Sequence, residues 1–146
     1  MEKKIFIAAA VLFSSQSYAQ KDSTKNLDEV VMTATRYPIK QSLTGKVVTV
    51  ISKEQLERSK GKTMGEVLNT QAGIIVNGSS NVLGTNQDVY VRGAAAGKTL
   101  ILLDGVPAYD ASGISGAFDP NFIAVDQVER VEILKGSQST LYGSDA

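Results

Sequence analysis

The chain contains no cysteine and no histidine in its 146 residues. The lack of cysteine excludes disulfide bonds and thiolate ligands, and the lack of histidine excludes imidazole ligands and any catalytic scheme built on a histidine base. Carboxylates are the only ordinary side-chain metal ligands that remain. The composition therefore argues against a conventional enzyme and against a metal site that depends on sulfur or nitrogen ligands.

Long apolar runs and an excess of one charge are also missing. The longest apolar run, residues 99–103, has the length of a strand and is too short to span a membrane as a helix. The formal net charge is zero, and so nothing suggests a nucleic-acid partner. The length allows one domain and little more.

The N-terminus has the pattern of a secretory signal peptide over residues 1–19. Lys3 and Lys4 form a charged start, residues 5–13 form an apolar segment, and residues 17–19 (SYA) end in the small residue that a signal peptidase reads. The alternative is a short N-terminal core helix. We expect an exported chain that begins at Gln20.

Two apolar segments flanking a Gly- and Ala-rich corner predict the centre of the fold. Residues 89–92 (VYVR) alternate with the period of a strand with two unlike faces, and residues 99–103 (TLILL) are typical of a strand buried on both faces. Asp104-Gly105 then predicts a turn. We expect these two strands to lie next to each other in a small sheet.

The remaining pattern predicts short helices and further strands. Capping boxes formed by Ser52 with Gln55 and by Thr63 with Glu66 each begin a short helix. Strands are predicted at residues 47–51, 73–77 and 131–134, a long loop at 106–118, and short helical turns after Asp119 and over 138–142. The fold class is therefore α+β, a small mixed β-sheet with short helices.

Residues 27–35 are prone to form a strand, because β-branched residues are frequent after the acidic Asp28 and Glu29. The sequence offers no hairpin partner nearby. One interpretation is an ordinary first strand of the sheet. The other is a segment that pairs with the sheet of another protein, where backbone hydrogen bonds provide the affinity.

Two glycine-rich segments are similar to catalytic motifs but fail them. Residues 93–99 (GAAAGKT) have one residue too few between the glycines for a phosphate-binding loop, and a strand rather than a helix follows. Residues 113–117 (GISGA) lack the last glycine of a nucleophile elbow, and Ser115 has no histidine base. A serine–lysine scheme has no motif to support it.

Charged residues at turns and on strands have structural interpretations. The four scattered aspartates at predicted turns and caps, which a carboxylate metal site would require, are Asp104, Asp110, Asp119 and Asp126. The charges on predicted strands are Arg92, Glu129, Arg130 and Glu132. They either face solvent or form buried pairs, and the sequence leaves both open.

Three segments, in order along the chain, resemble one family. They are residues 27–36 (LDEVVMTATR), residues 91–93 with 100–107 (VRG and LILLDGVP), and residues 128–146 (VERVEILKGSQSTLYGSDA). Together they resemble the plug domain of TonB-dependent outer-membrane transporters, and the first resembles the TonB box.

The resemblance implies a plug that fills the lumen of a β-barrel of about 22 strands. It implies a flexible leader at residues 20–36 with the TonB box at 27–35, and a plug at 37–146 that stops before its final strand and the barrel. The implied partners are TonB, the barrel and a small-molecule nutrient, in the outer membrane, with no enzymatic activity, cofactor or metal. The box residues are Leu27, Asp28, Glu29, Val30, Val31, Met32, Thr33 and Ala34.

Within the family, the chain is most similar to cobalamin (vitamin B12) receptors, through the loop at residues 109–116 and the ending YGSDA. The resemblance places substrate contacts at Asn86, Asp88, Ala95, Ile114 and Ser115. Ile114 and Ser115 fit the family pattern, whereas Ala95 lacks the expected polar group and Asn86 and Asp88 are larger and more polar than expected. Siderophore, haem or oligosaccharide transport stays open, as does a free-standing periplasmic binding module.

Overall fold

The computed structural model describes residues 29–80, 82–144 and 146. The predicted signal peptide, the leader up to Asn26, and Leu27 and Asp28 of the predicted TonB box lie outside the described residues.

The described chain forms short strands and helices linked by turns. The strands are β1 (Val30–Val31), β2 (Ile39–Lys40), β3 (Val48–Ile51), β4 (Ile74–Asn77), β5 (Asp88–Val91), β6 (Ile101–Leu103), β7 (Val106–Ala108) and β8 (Val131–Leu134). The helices are α1 (Lys53–Arg58), α2 (Met64–Asn69) and α3 (Ser139–Tyr142). Single 3₁₀ turns occur at Gln41–Leu43, Ala96–Lys98, Pro120–Phe122 and Val125–Gln127. The predicted α+β class is confirmed. Among the described residues, no helix is both long and apolar enough to cross a membrane.

The strands lie in four antiparallel pairs: β1 with β2, β3 with β8, β4 with β5, and β6 with β7. The pairing of β3 with β8 joins segments far apart in the chain, with Val50 opposite Glu132. Side chains alternate across this ladder, because successive residues of a strand point to opposite faces. One face of the β3–β8 ladder therefore carries Ile51 and Ile133, and the other carries Val48 and Glu132.

The two capping boxes form as predicted. The N–H of Ser52 donates to the Gln55 side chain at 3.0 Å. The Thr63 N–H donates to Glu66 at 2.7 Å, and the Glu66 N–H donates back to the Thr63 hydroxyl at 3.2 Å. These bonds satisfy backbone donors that the first helical turn leaves without partners.

The main core lies between the two helices and the sheets. Its buried members are apolar side chains from α1, α2, β3, β4, β5, the 3₁₀ turn Val125–Gln127 and β8: Ile51, Leu56, Met64, Val67, Leu68, Ile74, Val76, Val89, Val125 and Ile133. A smaller second cluster consists of Val31, Ala34 and Val48, with Ile39, Val50 and Leu134 packed against it. The β3–β8 ladder thus has one apolar cluster on each face.

The expectation of a central pair formed by the two apolar segments is wrong. β5 pairs with β4, and β6 pairs with β7 through the turn at Asp104 (φ 49°) and Gly105 (φ 83°). The run at residues 99–103 is not buried on both faces either, since Leu103 is 43% exposed. The predicted long loop begins later than expected, because Val106–Ala108 forms β7 instead. A hairpin turn so close to an apolar run favours local pairing over pairing with a distant strand.

Candidate functional site

The first candidate site is the part of the predicted TonB box that the structure describes, residues 29–34, here called the coupling segment. Val30 and Val31 pair with Lys40 and Ile39, and the N–H of Gln41 donates to the Glu29 carbonyl at 2.8 Å. The expectation that this strand lacks a nearby hairpin partner is therefore wrong. The partner, β2, is only two residues long, too short to give a recognisable strand pattern in the sequence.

A buried carboxylate holds the turn that follows β1. Oε2 of Glu132 accepts hydrogen bonds from the Met32 N–H at 2.8 Å, the Thr33 N–H at 2.9 Å and the Thr33 hydroxyl at 2.8 Å. The Glu132 side chain is only 7% exposed. Bonds to an ionised acceptor are about twice as strong as bonds between neutral groups. We call this arrangement the Glu132 clamp.

Arg130 completes the clamp from the opposite side. Its Nη2 lies 2.7 Å from Oε1 of Glu132, and its Nη1 donates to the Val30 carbonyl at 2.9 Å. Of the charges that the sequence left open, Arg130 and Glu132 thus form a pair, whereas Arg92 and Glu129 are exposed. Because Arg130 neutralises Glu132, the clamp does not leave an unpaired charge in a partly buried position.

The ionisation of Glu132 reflects this environment. Burial raises the pKa of its carboxyl group, but the hydrogen bonds from Thr33 and Met32 and the nearby charge of Arg130 outweigh burial, so that the pKa lies below its ordinary value of 4.5. Glu132 is therefore ionised at neutral pH, as the clamp requires.

Two further side chains hold the carbonyl groups of the coupling segment. The Tyr142 hydroxyl donates to the Thr33 carbonyl at 3.0 Å. The Lys46 ammonium donates to the Ala34 carbonyl at 2.9 Å and to Gln138 at 2.6 Å. The guanidinium of Arg36 lies 4.8 Å from the centre of the Tyr142 ring, which is a cation–π distance.

The coupling segment is also anchored by apolar burial. Val31 and Ala34 are completely buried in the second cluster, whereas Val30 and Met32 are exposed by more than two fifths. The segment covers the face of the β3–β8 ladder that carries Val48. Apolar contacts with the second cluster and polar side chains around its backbone thus hold the coupling segment against the β3–β8 ladder.

The second candidate site consists of the predicted substrate positions, which are distributed over three loops. Asn86 and Asp88 lie at the start of β5, Ala95 lies in the corner after β5, and Ile114 and Ser115 lie at the tip of the loop after β7. Ile114 is fully exposed, and Asn86, Ala95 and Ser115 are exposed as well.

The structure brings Gly97, two residues after Ala95, close to the Ile114–Ser115 loop. A β-carbon at Gly97 would stand 2.6 Å from the carbonyl oxygen of Ser115, so only glycine allows this approach. The loop is closed by the Asp110 N–H, which donates to the Gly116 carbonyl at 3.2 Å. Asn86 and Asp88 lie at the other end of β5, where Asp88 begins the strand and Asn86 precedes it. The four residues of β5 span about 10 Å.

Asn121, which no sequence pattern singled out, connects the loop before Asn86 with the segment that follows the Ile114–Ser115 loop. Its Nδ2 donates to the Thr85 carbonyl at 2.7 Å, and its own N–H donates to the Asp119 carboxylate at 2.9 Å. This ties the loop before Asn86 to the turn that ends the Ile114–Ser115 loop.

Gln87 is a second residue that the sequence interpretation missed. It is 4% exposed, and its side chain fills the space beside Gly65 in α2. The alternation of β5 extends back to it, since Gln87, Val89 and Val91 are spaced by two, and this signal was overlooked because the segment reads as a polar loop. Its inward direction leaves its neighbours Asn86 and Asp88 on the other side of the strand.

The segments that are similar to catalytic motifs show no catalytic arrangement where the structure describes them. Residues 96–98 form one 3₁₀ turn and β6 follows, so no helix N-terminus faces a phosphate. The Ser115 hydroxyl accepts from the Ala117 N–H at 3.4 Å. Within the described residues, no group of three or more acidic residues could hold a metal ion.

The comparison with known proteins agrees with the α+β fold and with the three segments that resemble a plug domain. The family described as TonB-dependent Receptor Plug Domain matches residues 40–146, and the chain belongs to this family. The chain is 36% identical over 149 residues to a vitamin B12 transporter, BtuB, of Vibrio vulnificus strain CMCP6, covering 100% of this chain and 24% of the relative. It is 33% identical over 142 residues to the vitamin B12 transporter BtuB of Vibrio cholerae strain O395, covering 96% of this chain and 22% of the relative.

The chain thus spans about a quarter of the length of the curated relatives that it matches. The match to the plug family begins at residue 40, within β2, and includes every predicted substrate position. The coupling segment lies before it. The predicted domain boundaries after residues 19 and 36 and the roles of the individual site residues stay predictions.

Proposed function

We propose that this chain is the gating and substrate-binding plug of a TonB-dependent outer-membrane transporter that takes up cobalamin. The observation that carries the proposal is the similarity to vitamin B12 transporters along essentially the whole chain, which includes the loop at the predicted cobalamin contacts. The barrel that would surround the plug is expected outside this chain, which spans about a quarter of the length of its relatives.

The coupling segment would bind TonB by strand pairing. Its β-branched residues suit an extended strand, and pairing through the backbone tolerates variation in the exposed side chains. Met32, whose side chain is about half exposed, is such a position. In this account TonB pulls on the segment from the periplasm and displaces part of the plug, a mechanical step that requires no catalytic residue and no cofactor.

The exposed loops would contact cobalamin. Ile114 offers an apolar surface and Ser115 a hydroxyl group at the tip of a loop that Gly97 and Gly116 hold in place. Asn86 and Asp88 add polar groups from β5. Ala95, two residues before Gly97, contributes surface but no side-chain hydrogen bond, so hydrogen bonding in this corner would depend on Ser115 and on backbone groups.

The test is to titrate the full chain with cyanocobalamin and to follow the exchange of backbone amides. If the proposal holds, exchange at residues 114–116 slows by about tenfold when the ligand is at about ten times its dissociation constant. Ile114→Asp should remove this protection, whereas Ala111→Ser, an exposed change in the same loop, should preserve it.

Parallel titrations with haem, a ferric siderophore and an oligosaccharide separate cobalamin from the other nutrients of the family. Protection at residues 114–116 by one of these, without an effect of cyanocobalamin, would contradict the cobalamin assignment. A folded chain that responds to none of the four would contradict a role of this plug in recognition.

A further inference from the structure

We infer that Glu132 is the latch that keeps the coupling segment closed, so that a partner strand has to compete with the Glu132 clamp for the same backbone groups. The inference rests on the proposed function for the identity of the partner. The latch itself is defined by contacts within this chain.

The backbone of the coupling segment is occupied on both sides. On one side, β2 pairs with Val30 and Val31. On the other side, side chains hold the N–H groups of Met32 and Thr33 and the carbonyl groups of Val30, Thr33 and Ala34. A strand that adds to a sheet requires a free row of such groups. The docked segment therefore offers no edge for a partner.

Glu132 is the centre of this arrangement for two reasons. It accepts three hydrogen bonds from two adjacent residues of the segment through a single carboxylate oxygen. Its backbone position is fixed independently of the segment, since Glu132 lies opposite Val50 in the β3–β8 ladder, and its second oxygen is paired with Arg130. The anchor therefore remains in place when the segment leaves.

The clamp is also reversible at low cost. When the segment is released, Glu132 keeps the guanidinium of Arg130 as its partner, and solvent reaches its other oxygen. No unpaired charge is left behind, which is the usual reason why breaking a buried ionic contact is costly. Release costs the three hydrogen bonds to Glu132 and the apolar burial of Val31 and Ala34.

The experiment compares four forms of the full chain: unchanged, Glu132→Ala, Thr33→Val and Glu129→Ala. Glu129→Ala is the matched control, because it removes the same charge from an exposed position three residues away. Amide exchange at Met32 and Thr33 reports release of the segment, and titration with the periplasmic domain of TonB reports partner binding. Amides of Val76 and Val89 in the core report folding.

Glu132→Ala should accelerate exchange at Met32 and Thr33 by about tenfold and tighten TonB binding by a similar factor, since opening precedes pairing. Thr33→Val, which removes one of the three bonds, should have a smaller effect in the same direction, and it decides the question if Glu132→Ala fails to fold. Unchanged exchange in both variants, or faster exchange with unchanged TonB affinity, would overturn the latch. Faster exchange without TonB binding by any form would support the latch and contradict the proposed coupling to TonB.

Discussion

Gly65 of α2 and Gln87 before β5 approach so closely that a β-carbon at position 65 would overlap Oε1 of Gln87. Gly65 is itself buried and is not at a positive φ, so close approach rather than backbone conformation requires glycine here. The contact packs α2 against the start of β5, next to Asn86 and Asp88.

Gly65→Ala should therefore destabilise the fold. Gln87 and Val76, which the new methyl group would meet, are both buried, and overpacking such a site costs about 1–3 kcal/mol. Chemical denaturation of the full chain would measure this as a lower free energy of unfolding. Gly113→Ala is the control, since its new methyl group would meet only the Asp110 carbonyl at 3.9 Å. Adding Gln87→Ala should partly restore the Gly65→Ala variant. Equal stability of the two single variants would contradict the contact.

Gly97→Ala should displace the Ile114–Ser115 loop, because its methyl group would stand 2.6 Å from the Ser115 carbonyl oxygen, a backbone atom that cannot rotate away. We expect cyanocobalamin affinity to fall by about tenfold, the loss expected when a hydrogen bond and an apolar contact are weakened together. Calorimetric titration measures this. Ala94→Ser, an exposed change in the same corner, should leave the affinity unchanged; equal losses in both variants would count against loop positioning.

A peptide of residues 27–36 should bind the periplasmic domain of TonB, and Val31→Pro should weaken binding by at least about tenfold, because proline has no N–H to donate to a ladder hydrogen bond. Met32→Val should bind like the unchanged peptide, since it preserves an apolar, strand-forming residue. Fluorescence anisotropy of labelled peptides measures both. Full affinity of the Val31→Pro peptide would contradict recognition by strand pairing.

The Glu132 clamp should weaken in acid. Since folding lowers the pKa of Glu132 below 4.5, its contribution to stability is fully present above that value and is lost as the pH falls through the lowered pKa. The NMR signals of the Met32 and Thr33 amides should therefore move toward released positions below about pH 4.5. Glu132→Gln should abolish this transition and Glu129→Gln should preserve it; an unchanged transition in Glu132→Gln would assign it to another group.

Local features of the fold were predictable from the sequence, because their determinants lie a few residues apart. The capping boxes at Ser52 and Thr63 and the apolar face of α2 need only the spacing of neighbouring residues. Pairing of strands was less predictable. The period of β5 and β6 predicts strands but not their partners, and the partners turned out to be β4 and β7.

In the two candidate sites, too, local features were predictable from the sequence and contacts between distant residues were not. The coupling segment was recognisable by its residues, but its clamp joins Thr33 to Glu132 across 99 positions, and no local pattern encodes that contact. From the sequence alone, Glu132 could equally have been a charge that faces solvent or a member of a buried pair. Gln87 was missed because a polar residue in a polar segment gives no reason to expect burial, although its spacing from Val89 pointed inward.

Coupling through residues 29–34 can be tested directly by NMR of the isotopically labelled full chain during titration with the unlabelled periplasmic domain of TonB. We expect the amides of Val30–Val31 and of Met32, Thr33 and Ala34 to shift and become protected in a new strand pairing, while the core amides of Val76 and Val89 do not change. A folded chain whose coupling segment is unaffected by TonB, including in the Glu132→Ala variant, would contradict the central claim that this plug is driven through residues 29–34.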